Sequence, residues 1–410
     1  MLRGARSTVR VLACAGAALG LGLLPSAPAS ADSVRDQQQW VLNLMDVPAA
    51  WQVTEGSGVK VAVIDSGVSP HVSDLSDSVI TGPDLTGLKT PDYNPNWGEH
   101  GTWMASVIAG HGHDGGDDGI IGVAPQSKIL SIRVIPDKGD PGYQAYNSEP
   151  EQRIQDELAR GIKTAVNDGA RVISMSIGYS APSGEVRDAI QYAYAKGVVL
   201  VASSGNSGNN DTQHAKAGSG MAPVSFPAEY PGVISVGAVT STGAATSFSS
   251  GNLSVRVAAP GKAVPAQGRN GEYYTVDGTS PACALVAGVA ALIEARYPKI
   301  SPAQVTEALT ATTTQRPAGG YGVLTGFGIV DAGHALTKAG ALLSQHPQKS
   351  PVALGSRFGG GAAAVPAAPV APRDDVALEV YVAAVIVSLG LAAGGFFGVR
   401  RARSRAGARS

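Results

Sequence analysis

The run Val59-Lys-Val-Ala-Val-Ile-Asp65 is β-branched and apolar almost throughout, and it ends on an acid and a Ser66-Gly67 turn. A run with no polar face cannot lie half-solvated, so it is expected to form a strand buried on both sides, as in a parallel sheet. Lys128 to Ile135, Arg171 to Ile177, Val198 to Ala202 and Val233 to Val239 have the same character. Between them the period changes. Ile154, Leu158, Ile162, Ala165 and Val166 fall on one helical face, and Val186 to Lys196 gives a second helix. Strands alternating with helices predict an α/β fold, a parallel sheet with helices on both faces. In such folds active sites gather beyond the carboxyl ends of strands. Asp65 and the segment Ser203-Ser-Gly-Asn206 fall at two such ends.

A second feature is Gly278-Thr279-Ser280, which leads into an apolar stretch running from Pro281 through Ile293. An isolated Ser-Pro pair reads as a helix cap followed by the first helical residue. The same position also sets a hydroxyl beside unpaired helix N–H groups, which can stabilise an oxyanion. His100-Gly101-Thr102 opens another helix-like stretch, Trp103 to Gly110. Taken singly, Asp65 can simply end a strand and His100 can simply start a helix. Taken together, Asp65, His100, Asn206 and Ser280 each stand where a strand or loop meets a glycine-rich turn or a helix start.

Composition removes other classes. The chain has 410 residues, 15% of them charged, with a net charge of −1, so it carries no nucleic-acid footprint. Arg3, Arg6 and Arg10 precede the apolar run Val11 to Leu24, and Ala29-Ser30-Ala31 offers a cleavage site. This is the layout of a secretory signal peptide over residues 1–31. Val380 to Val399 is uncharged and apolar, and at ~1.5 Å per residue it reaches ~30 Å, enough to span a bilayer core. Four arginines follow it, at 400, 401, 403 and 405, while Asp374, Asp375 and Glu379 precede it. The C-terminus is therefore expected in the cytoplasm and the main domain outside the cell membrane. With the signal removed, Cys283 is the one cysteine left, read as a small buried residue, and no intrachain disulfide is expected. Gly110 to Gly122 and Pro136 to Glu151 read as polar, solvated insertions, with a metal loop as the alternative for the first. The stretch from Asp32 to Gly58 reads as a strap or helix against the body, too short for a separate pro-domain.

The motifs are specific in combination. Val-Ala-Val-Ile-Asp65-Ser-Gly-Val, His100-Gly-Thr, Ser204-Gly-Asn206 and Gly-Thr-Ser280 resemble the subtilisin-like serine proteases, or subtilases, in sequence and in the order Asp, His, Ser. Gly122-Val-Ala-Pro125, Ser247-Phe-Ser249 and Val257-Ala-Ala-Pro-Gly261 add further family landmarks. With Gln39-Trp-Val-Leu, Asp46-Val-Pro-Ala-Ala-Trp51, Met104-Ala-Ser106, the proline-containing stalk and the C-terminal span, the chain also resembles the mycosins, the membrane-anchored subtilases of type VII secretion.

The resemblance implies a subtilisin-like fold and a division into an extension (32–58), a peptidase domain (59–343), a linker (344–375), a transmembrane helix (378–399) and a basic tail (400–410). It implies Ser280 as nucleophile, His100 as general base and Asp65 as its orienting acid, with Asn206 in the oxyanion hole. It implies Ser176-Ile177-Gly178 as the segment that pairs with substrate backbone. No metal or cofactor is expected, the substrates are proteins or peptides, and the expected partners are membrane components of the secretion machine. The alternative is a scaffold subunit of that machine with dispensable proteolysis. Two positions depart from the subtilase pattern. Pro281-Ala-Cys-Ala284 replaces Met-Ala-Ala-Pro after the serine, and Trp103 replaces the second histidine of His-Gly-Thr-His.

Overall fold

Strand β1 (Lys60–Asp65) sets the architecture through its period of two. Val61 and Val63 face one side, Ala62 and Ile64 the other, and all are buried. The computed structural model, which describes residues 31–113, 118–208 and 221–344, shows how both faces are covered. β1 lies within a seven-stranded sheet. Its companions are β2 (Val79–Asp84), β5 (Lys128–Arg133), β6 (Val172–Met175), β7 (Val199–Ser203), β8 (Val233–Val239) and β9 (Val255–Pro260). The spatial order is β2-β5-β1-β6-β7-β8-β9, and every neighbouring pair is parallel. All carboxyl ends therefore open on one edge, with Asp65 and Ser203 ending their strands there.

On one face, Leu158 and Ile162 of α5 (Glu151–Asn167) and Ile190 of α6 (Gly184–Ala195) pack on Ala62, Ile64 and Ile173. On the other lie α3 (Glu99–Ala109) and α7 (Thr279–Arg296), backed by α8 (Pro302–Ala311) and α9 (Ala332–Ser344). α7 is apolar on every side because every side is buried, from Pro281 to Glu294. Among the described residues it is the one helix long and apolar enough to cross a membrane, yet it is packed inside the core. Truncating one of its core side chains, such as Leu292, should cost ~2–5 kcal/mol.

The segment before β1 is helical. α1 (Ala31–Leu44) and α2 (Val47–Trp51) place Val41, Met45, Val47 and Ala50 in the main core. Arg35 of α1 donates to the carbonyls of Asp118 and Gly119, both at 2.9 Å. Gln38 exchanges hydrogen bonds with the backbone of Ile121, and Trp51 Nε1 donates to Val123 O at 2.9 Å.

Both expected insertions are more ordered than their composition implies. The described part of Gly110 to Gly122 is an antiparallel pair, β3 (His111–His113) and β4 (Asp118–Ile121), rather than a solvated loop. The cause is Asp74, fully buried beneath it, which accepts from His113 Nδ1 and Ile120 N, both at 2.7 Å. Pro136 to Glu151 carries a short helix, α4 (Tyr143–Asn147), and buries Tyr146 and Asp140. Asp140 accepts from the equally buried Arg133 at 2.6 Å, so this insertion is bolted to the end of β5. β2 and β9 escape the sequence reading because both are sheet edges, one with Gly-Pro inside it and one with an exposed arginine. β10 (Val264–Gln267) and β11 (Tyr273–Val276) form a second antiparallel pair. The signal segment, apart from Ala31, and the linker, the span and the tail, apart from Ser344, lie outside the described residues.

Candidate active site

Asp65 ends β1 at the carboxyl edge and is 1% exposed. Its Oδ1 accepts from Ser66 N and faces His100 Nδ1, both at 2.7 Å. The pairing requires α3 to approach the turn after β1 very closely. At Gly101 an added Cβ would fall 2.1 Å from the carbonyl oxygen of Gly67, a distance no side chain tolerates. The glycine after the histidine is therefore the condition for the Asp65–His100 contact.

The first turn of α3 leaves backbone N–H groups without helical partners, and Gly98 at its N-cap has no side chain to offer. The surroundings satisfy each one. Glu99 N donates to Asp137 Oδ2 at 2.8 Å and His100 N to Asp137 Oδ1 at 3.2 Å. Gly101 N donates to Ser66 Oγ at 3.1 Å, and Thr102 N makes the first bond back to Gly98 O at 3.0 Å. Behind the turn, Arg133 donates to Ser66 O at 3.1 Å and lies over the Trp97 ring at 5.6 Å.

The imidazole of His100 keeps 28% of its surface exposed. Burial disfavours its cation, but the charge and hydrogen bond of Asp65, aided by the charge of Asp137, outweigh it and push His100 up to about 9. Burial likewise holds the Asp137 carboxyl above its usual range, with His100 pulling it down and Asp65 pushing it up.

Ser280 stands in the first turn of α7, but it is not the cap. Gly278 is, with φ 150°, a conformation that disfavours any residue with a Cβ, and no side chain caps the helix from that position. Asn206, just beyond β7, accepts at Oδ1 from Thr279 N and Thr279 Oγ1, each at 2.9 Å. Pro281 is thus the third helical residue rather than the first. A first-turn N–H has no helical acceptor, so proline costs the helix nothing there. Ser280 keeps both its backbone N–H and a partly exposed side chain.

Ser176, Ile177 and Gly178 run off the carboxyl end of β6, outside the sheet. Ser176 Oγ donates to Ser280 O at 3.3 Å, and Gly178 is exposed. Cys283 is fully buried with its Sγ against Ser174 and Met175, and burial pushes its thiol up to about 11. It is a core residue, as expected. Trp103 packs between His100 and Tyr274, at ring-centre distances of 6.1 and 5.5 Å.

Asp137 and Arg133 were not among the expected site residues. The signal for them was available: both follow or end a buried strand at the edge that carries Asp65. Among the described residues, Asp46, Asp331 and His334 bring potential cation ligands within 4.8 Å of one another. There the His334 Nδ1 is already bonded to Asp331, at 2.9 Å.

Comparison with known proteins identifies the family. The model of the subtilase family matches residues 56–330. Subtilisin DY of Bacillus licheniformis is 35% identical over 63% of this chain and 85% of its own length. Mycosin-3 of Mycobacterium tuberculosis is 32% identical over 92% of this chain and 86% of its own. A crystal structure of MycP1 from Mycobacterium smegmatis superposes with a TM-score of 0.58 at 30% identity, covering 72% of this chain and 84% of that one. The fold is subtilisin-like, the substrates are proteins, and the chain belongs to the subtilase family as a mycosin-like serine endopeptidase.

Proposed function

We propose that the protein cleaves peptide bonds through Asp65, His100 and Ser280, as a membrane-anchored peptidase that works beside a type VII secretion machine. The observation that carries the chemistry is the 2.7 Å contact between His100 Nδ1 and the buried Asp65 Oδ1. With Nδ1 committed to the carboxylate, the neutral ring holds its proton there and leaves Nε2 as the base. Nε2 takes the hydroxyl proton as Ser280 attacks the scissile carbonyl, and then returns it to the leaving amine. Asp65 stabilises the imidazolium formed in between. The new oxyanion is received by the Ser280 N–H and the Asn206 Nδ2–H. The segment Ser176-Ile177-Gly178, which has no strand partner among the described residues, would align an extended substrate by backbone hydrogen bonds.

The setting is proposed on sequence grounds: a signal over residues 1–31, an extension over 32–58, the peptidase domain over 59–343, a linker over 344–375, a span over 378–399 and an inside tail over 400–410. The similarity to mycosins, and to MycP1 from the ESX-1 type VII secretion system, supports the association.

A serine-directed fluorophosphonate should label the full-length protein at Ser280, and the Ser280→Ala and His100→Ala variants should not react. Equal labelling of Ser280→Ala at another residue would refute the assignment. Protease shaving of intact cells should release the peptidase domain.

A further inference from the structure

We propose that Asp137 is a positioning residue of this site, which fixes the start of the helix carrying His100 and sets a second negative charge beside the imidazole. The inference rests on the reading of His100 as general base. α3 cannot cap itself, since Gly98 has no side chain, and Asp137 spans the gap by taking the N–H groups of Glu99 and His100 on its two oxygens at 2.8 and 3.2 Å. A carboxylate at this spot also meets the positive end of the helix, which offsets its nearness to Asp65.

Asp137 is itself held. Asp140 N donates to Asp137 O at 2.9 Å, closing a turn, and Asp140 is anchored to the buried Arg133. Val134, the residue after β5, donates its N–H to Asp65 O at 2.9 Å, so the chain leading to Asp137 is registered to Asp65. One rigid unit therefore joins Asp65, His100 and Asp137. Two carboxylates face the imidazole or its backbone, Asp65 from β1 and Asp137 from the loop after β5, while that of Glu99 on α3 turns elsewhere. Glu99 is engaged by the Arg269 backbone N–H at 3.1 Å. The Trp103 ring, also on α3, is uncharged.

A purely structural cap needs only acceptors, whereas a residue that tunes His100 must act through charge. Asn at 137 separates the two, because it keeps one acceptor and removes the charge. The test measures the rate of Ser280 labelling by a fluorophosphonate from pH 5.5 to 10 in the full-length protein. In Asp137→Asn the acid limb of the profile should move to lower pH by roughly half to one pH unit, with less than about a tenfold loss at the plateau. In Asp137→Ala, where both N–H groups lose their acceptor, the same movement should come with a plateau lowered about ten- to a hundredfold. An unmoved acid limb in Asp137→Asn, with His100→Ala inactive, overturns the role of Asp137 alone. Undiminished labelling of His100→Ala overturns the reading beneath it as well. Should the alanine variant fail to fold, the asparagine variant still decides.

Discussion

Asn206 Oδ1 accepts two hydrogen bonds from Thr279, one from the backbone N–H and one from the hydroxyl, each 2.9 Å long. A backbone N–H can only donate, so the amide has one orientation, and its Nδ2 is aimed away from Thr279 with no acceptor among the described residues. Two functions thus reside on one side chain: the oxygen holds the helix start and the nitrogen remains as a donor. Asn206→Asp should separate them. The acid keeps the acceptor, so thermal unfolding should stay within about 1 kcal/mol of wild type. It lacks the donor, so kcat on a peptide anilide should fall by about a hundred- to a thousandfold. An unchanged kcat would remove Asn206 from the oxyanion hole.

Gly101→Ala should be among the most damaging single-methyl changes in the chain. The added Cβ would sit 2.1 Å from the Gly67 carbonyl oxygen, and the helix or the turn must give way. A loss on the order of 3 kcal/mol in urea unfolding is expected, with fluorophosphonate labelling reduced further than stability alone explains.

Stability should fall as pH rises, in two windows. The folded pKa of Glu294 is raised by burial, against the pull of Arg171, from 4.5 to about 7. Its Oε1 is buried without a partner among the described residues, which suits a protonated acid. The folded state therefore holds this proton more tightly than the unfolded chain, and the resulting stability, full below 4.5, is lost as pH rises through 7. His100 follows the same sign from 6.5 to about 9. Urea unfolding of Ser280→Ala, which avoids self-digestion, should show the decline at pH 5, 7 and 9. Glu294→Gln should flatten only the lower window, and an unaltered slope would show that Glu294 is ionised throughout.

Cys283 should resist alkylation by iodoacetamide at pH 8 in the folded protein and react on unfolding in urea. Its thiol is both inaccessible and pushed up to about 11. Rapid native modification would mean that α7 opens.

The legible parts of this chain were those where one residue type admits one physical role. β1 and the neighbouring strands betrayed themselves because burial on both faces demands unbroken apolar sequence. The expected site residues could be placed because each sits at a glycine-marked junction. What stayed hidden depends on distant pairing. Asp74 under the hairpin and Asp140 on Arg133 turn polar stretches into fixed structure, and nothing local in Gly110 to Gly122 or Pro136 to Glu151 announces a partner elsewhere in the chain. Asp137 differs, because it follows a buried strand at the edge that carries Asp65, which is a local signal. Ser-Pro favours a cap at Ser280, while the actual cap position is taken by Gly278 and the bonding by Asn206.

The strap formed by α1 and α2 grips main-chain oxygens: Asp118 and Gly119 through Arg35, Ile121 through Gln38, and Val123 through Trp51. A clasp of this kind reads the path of the hairpin through its backbone. Sequence drift at position 121 should then leave the grip intact, while drift at Arg35, Gln38 or Trp51 loosens it. In a randomised library, the grip would show as intolerance at the gripping side chains Arg35, Gln38 and Trp51.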